Sequence, residues 1–252
     1  LRLKPANEQA YREQSVDQAM NTIRNRIDQL GVGEVVIQKH GGPGENEILV
    51  QLPGLDDPAR VKGIMQSTAL LELKLVTAGP FSTAESAAQS FGGAIPANME
   101  LLPSVERDAA TAPGATSFYA VERIASVSGR DLKGAFPSRD ENGRPAVSFN
   151  LNADGAQKFG RVTEANIGKQ LAIVLDGRIQ SAPRINGRIT DNGIITGGAA
   201  GFAPQAAQDL SLVLRSGALP ASIKYLDEEV VGPSLGADSI RAGLLEIGRA
   251  HV

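Results

Sequence analysis

The chain has 252 residues, of which 42% are hydrophobic and 21% charged, with a net charge of −3. That is apolar enough to bury one large core or two small ones, and it lacks the concentrated basic charge of a nucleic-acid binder. With no cysteine and only two histidines, His40 and His251, it excludes disulfide frameworks, thiolate metal sites and multi-histidine zinc centres.

The opening "LRLKPANEQAYREQ" has neither a start methionine nor the basic and apolar regions of a leader, so an internal start is expected. "SVDQAMNTIRNRIDQLGVG" follows. Val16, Ala19, Met20, Ile23, Ile27 and Leu30 recur at helical spacing, Ser15 and Gln18 form a capping box, and Gly31 supplies the stop. "EVVIQK" and "EILVQL" read as strands joined by the glycine loop "HGGPGEN". That loop lacks a Gly-Lys-Ser/Thr ending and opens no helix, so it reads as a hairpin loop rather than a phosphate cradle.

Asp57 caps a second helix, with Pro58 at its first position and Val61, Ile64 and Met65 facing inward. In "LLELKLV", Leu71, Leu73 and Leu75 alternate with Glu72 and Lys74, the pattern of a half-buried strand. Helix–strand–strand–helix–strand is a ferredoxin-like order without its first strand. "SIKYLDEEVV" is the expected late partner. Residues 79–116, rich in Ala, Gly, Pro and Ser, predict one short helix capped by Ser82 and Glu85, then an irregular connection. "SFYAVERIASV" resumes as a strand.

A second unit starts near Ser128. "PAVSFNL" is a strand, and Asn152 caps a helix carrying Ala156, Phe159, Val162 and Thr163. "QLAIVLDGRIQSAPRI" is a hairpin turning at Asp176–Gly177, both at positive φ. "ITDNGIITG" is a further extended stretch, and "TGGAAGFAPQ" leads into a final helix. That helix starts at Pro204, buries Ala207, Leu210, Val213 and Leu214, and ends at Gly217. The fold class expected is α+β. A ferredoxin-like base (1–127 and 218–232) carries an inserted α+β head (128–217), joined through hinge candidates Ser128, Gly129, Ser216, Gly217 and Pro220.

No catalytic, cofactor-binding or metal site emerges. Asp176 is accounted for by its turn, having no second acid or histidine at a useful spacing. Asp227, Glu228 and Glu229 read as a solvated run, and Met20, Met65 and Met99 are too few for a Met-rich groove. An acylphosphatase-like enzyme, with Arg178 of "GRIQSAP" as its arginine, is the third reading; Arg178 follows a hairpin turn and has no anion-cradling glycines behind it.

"NTIRNRIDQLGV", "LAIVLDGRIQSAPRI" and "LRSGALPASIKYLDEEVVGPSLGADSI" closely resemble the SecD family of bacterial protein-export subunits, over 11–245. The resemblance implies a large extracytoplasmic (periplasmic) domain of a cytoplasmic-membrane protein, with a ferredoxin-like base and an inserted head. It implies assistance to export driven by the proton-motive force, with the head holding emerging unfolded preprotein. SecF and the SecYEG channel are the implied partners, and neither cofactor nor nucleic acid is implied. The second reading is a scaffold that only contacts partner subunits. No run reaches the ~18 apolar residues of a membrane helix. Residues 233–245 would lead into one, and 246–252, ending "IGRAHV", resemble an in-frame sequencing adapter.

Overall fold

The computed structural model describes residues 5–42, 45–55, 57–104, 117–197 and 201–227. It is an α+β fold divided into two units, Leu1–Ser222 and Ile223–Val252. All the elements below belong to the first; residues 223–227 of the second carry none.

Helix α1 spans Pro5–Leu30, eleven residues longer at its start than the capping box, which would begin it at Val16, suggests. Ser15 lies inside it and returns its hydroxyl to the Tyr11 carbonyl at 2.8 Å, so it caps nothing. The expected stripe is otherwise in place, with Ala19, Ile23 and Ile27 buried. Gly31 (φ 74) turns the chain into the antiparallel hairpin β1 (Val36–His40) and β2 (Glu47–Gln51). Helix α2 (Pro58–Gln66) is capped by the Asp57 carboxylate, which accepts from the Arg60 amide at 3.0 Å.

Strand β3 (Leu71–Phe81) organises the largest sheet. Around it lie α3 (Ala84–Ser90), β4 (Met99–Ser104), β5 (Ser117–Glu122) and β6 (Val127–Ser128). The short helix α3 is capped by Thr83 rather than Ser82, in a capping box with Ser86. After a 3-10 turn (Gly129–Asp131) come β7 (Leu132–Arg139), β8 (Pro145–Leu151) and α4 (Ala153–Ala165). Then follow β9 (Leu171–Leu175), β10 (Arg178–Ser181), β11 (Asn192–Ile195) and α5 (Pro204–Ser216).

Three sheets result among the described residues: β1–β2; β5-β4-β10-β9-β3-β6; and β11-β8-β7. In the second, β3 is long enough to serve two neighbours in turn. Leu71–Leu75 pair with β9, and Val76 to Phe81 pair with β5 through two register shifts. Strands β3, β5, β4, β10 and β9 therefore close on themselves, with the parallel β4–β10 contact as the shortest seam. Tyr119, Val121, Ala172, Val174 and Ile179 fill the inside, packed against Val76 and Leu102. On the opposite face Leu71, Leu73, Leu75 and Ile173 join Phe149, Phe159, Leu212 and Leu214 in the main core.

This pairing departs from the expected base. β1 and β2 pair only with each other, so the ferredoxin-like sheet does not form among the described residues. The physical reason is that β3 has no vacant side. Its first half lies between β9 and β6, and its second half holds β5. For the same reason Ser222 to Asp227 form no strand; 228–231 of the expected partner lie outside the described residues, as do the expected lead-in 233–245 and the adapter-like 246–252. The break expected after residue 127 likewise does not interrupt the sheet, since β3 and β9, assigned to base and head, are hydrogen-bonded neighbours.

Candidate functional site

The two expected connections converge on residues 67–73. Val127 and Ser128 pair with Leu73 and Glu72. On the other side the Leu219 amide donates to the Thr68 carbonyl at 2.9 Å. Ser128 caps the 3-10 turn through Asp131, its amide and hydroxyl donating to the carboxylate at 2.9 and 3.2 Å. Lys158 of α4 adds an ion pair at 2.8 Å. Burial alone would push the Asp131 carboxyl up, but the Lys158 and Ser128 hydrogen bonds outweigh it and hold the group below its ordinary value.

Gly129 does not use glycine's freedom. Its φ is not left-handed, and an added Cβ would come no closer than 3.8 Å to its neighbours. Gly217 does use it, at φ 93. Ser216 is buried, its hydroxyl returned to the Leu212 carbonyl at 2.6 Å, and Pro220 is exposed.

Arg26 of α1 holds this junction together, and sequence patterning passed it over. It is fully buried. Its Nη1 donates to the Ile64, Met65 and Ser67 carbonyls at 2.7, 3.2 and 2.5 Å, satisfying the C-terminal end of α2. Its Nη2 donates to the Gly217 carbonyl at 3.1 Å. Burial lowers its pKa to about 10, partly offset by the charge of Asp176, so it remains a cation at neutral pH. The available signal was its spacing: position 26 lies three residues after Ile23 and four before Leu30, within the apolar stripe.

Asp176 and Gly177 form the expected hairpin turn, at φ 50 and 75. The Asp176 carboxylate does more than shape that turn. It accepts from the Leu70 amide at 2.9 Å, from the Ser67 hydroxyl at 3.4 Å and from the Thr68 hydroxyl. Segment 67–70 is thus held at its Ser67 carbonyl by Arg26 and at its donors by Asp176. Arg178, the enzyme candidate, is exposed at the start of β10. No group of three or more metal-ligating side chains occurs among the described residues.

A second surface lies on the sheet β11-β8-β7. Phe136, Ser148 and Ile194 stand in register across its outer face, with Phe136 47% and Ile194 44% exposed. No described helix is long and apolar enough to cross a membrane.

A family model described as "SecDF, P1 head subdomain" matches residues 101–221, and one described as "Protein translocase subunit SecDF, P1 domain, N-terminal" matches 16–78. The head match starts within β4 rather than at 128, in keeping with the pairing of β4 with β10. Among relatives, the Koribacter versatilis protein translocase subunit SecD is 48% identical over 97% of this chain and 44% of its own length. The Aquifex aeolicus SecD is 44% identical over 92% of this chain and 43% of its own. The chain thus spans less than half the length of these relatives. A crystal structure of SecDF in a super-membrane-facing form matches with TM-score 0.66 and 32% identity, over 92% of this chain and 30% of that one. A second, of a membrane component SecDF that enhances protein export, matches with TM-score 0.63 and 30% identity, over 86% of this chain and 94% of that one. With both parts of the P1 domain matched in order, the chain belongs to the SecD/SecDF family of protein translocase subunits.

Proposed function

We propose that this chain is the extracytoplasmic P1 region of a SecD-type subunit that assists preprotein export across the bacterial cytoplasmic membrane. In the full-length protein it works with SecF and the SecYEG channel, and the proton-motive force drives it. The role is mechanical rather than enzymatic: the head holds emerging unfolded polypeptide and shifts about the connections at 128–129 and 216–220. The ordered match of both P1 models carries this reading. The exposed Phe136–Ser148–Ile194 row supports polypeptide contact, being an uncharged, partly apolar strip on the head. Gly217 at φ 93 supports a pivot, because a few residues at the end of a packed helix can absorb a reorientation.

The test is a disulfide between cysteines introduced across the junction of head and base in the full-length subunit. Export should slow when the bond forms and recover on reduction. Unimpaired export with the bond fully formed would make the domain a static scaffold contacting partner subunits only.

A further inference from the structure

The seam between α1–α2 and α5 is tied by polar groups and is incompletely filled. Arg60 of α2 meets Asp209 of α5 at 2.8 Å, and Arg215 of α5 donates to the Gln29 side chain of α1 at 2.8 Å. Between these ties a cleft of about 310 Å³ opens, lined by Leu30, Arg60, Pro137, Asp209 and Arg215 among others. Leu30 and Ile64 share the main core with Leu212, Val213 and Leu214, so parting costs dispersion contacts; the cleft and the polar ties mark where along the seam that cost is smallest.

Within that seam the four hydrogen bonds of Arg26 divide unequally. Three go to carbonyls at the end of α2, and one to the carbonyl of Gly217, where the chain leaves α5. Its Nε is buried without a hydrogen-bond partner, so on separation Nη1 keeps its three α2 partners while Nη2, released from Gly217, joins Nε in needing water. We propose that Arg26 is a latch, a positioning residue whose single bond to Gly217 sets whether the exit from α5 is docked on the α1–α2 pair or released. The inference rests on the reading of 216–220 as a pivot and adds the group that governs it. Segment 67–70 responds as well, because the Leu219 amide bonds the Thr68 carbonyl beside the Ser67 carbonyl held by Arg26.

Lysine separates a latch from a structural plug. The Arg26→Lys ammonium can still serve the α2 carbonyls, but it lacks the second nitrogen that reaches Gly217. The chain contains no cysteine, so spin labels at Asn25→Cys on α1 and Gln157→Cys on α4 are unique. Distance distributions between them would be recorded in this chain with Arg26, Arg26→Lys and Arg26→Met, alongside hydrogen exchange at the Leu219 amide. Loss of one charge-assisted hydrogen bond should raise the ratio of released to docked forms about tenfold to a hundredfold. Arg26→Lys should therefore show a second, longer distance and faster Leu219 exchange, with protection in β8 unchanged. If Arg26→Met does not fold, Arg26→Lys alone decides. Unchanged distances and unchanged exchange in Arg26→Lys would overturn the latch and leave the pivot to its own disulfide test. Faster exchange with unchanged distances would overturn both, the tie being broken with nothing moving. Loss of β8 protection in Arg26→Lys would make Arg26 a core support and overturn the latch.

Discussion

Lys74 sits on the inner face of the closed strands, its side chain only 4% exposed, where the alternation of "LLELKLV" predicts a solvent-facing position. Its ammonium pairs with Glu100 and, at 3.2 Å, with Glu72, and it donates to the Arg123 carbonyl at 3.2 Å. Such a cation is tolerated because its donors are used; removing it strands two partly buried carboxylates. Lys74→Ala should lower unfolding free energy by about 2–3 kcal/mol in urea titration, at or just below the lower end of the range for broken buried pairs because both acids keep some solvent. Adding Glu100→Gln should recover part of the loss. Strict additivity of the two substitutions would show that they do not interact.

At the scale of elements, α4 is positioned by what its first turn lacks. Gly155 lies over the 3-10 turn so closely that a Cβ there would meet the Asp131 Cβ at 2.7 Å and its carbonyl oxygen at 2.9 Å. Alanine would gain up to about 1 kcal/mol in helix propensity. It would also force apart two backbones, which costs about 1–3 kcal/mol. Gly155→Ala should therefore destabilise despite its better propensity, with a lowered thermal midpoint as the readout; a raised midpoint would mean the turn yields freely. The helices were legible because their caps and stripes are local: Asp57 and Asn152 cap where the sequence predicts. Strands β4 and β7 were not legible, for Pro103 and Pro137 argue against sheet and Gly134 weakens β7 further. Strand β7 lies at the edge of its sheet, where a missing amide is harmless. The Arg26 junction was also hidden, since its partners are carbonyls 38 to 191 residues away and carry no side-chain signature.

For the whole molecule, local order predicted the helices and most of the strands while long-range pairing decided the architecture. Which strands flank β3 depends on partners from 37 (Phe81 and Phe118) to 104 (Leu71 and Leu175) residues away, so no local pattern separates the observed sheet from a ferredoxin-like one. If the head grips unfolded chain through Phe136 and Ile194, then Phe136→Ser with Ile194→Ser in the full-length subunit should slow export. Each side chain is a little over half buried, so the pair should cost about 2–3 kcal/mol of stability, and the amount of folded subunit is measured alongside export. Unaltered export would move the contact elsewhere on the head.

Strand β3 also determines how the domain bears load. Leu71 to Leu75 are hydrogen-bonded along one side to β9, and Glu72 and Leu73 along the other to β6. Tension directed along β3 strains these rungs together, in shear, instead of peeling them off one by one. The N-terminal side of β3 leads to α2 and α1, and its C-terminal half grips β5 through two changes of register. A pull delivered from either side is thus spread over several strands at once, which would let a domain with the proposed role tug on a passing chain without itself being drawn out into thread.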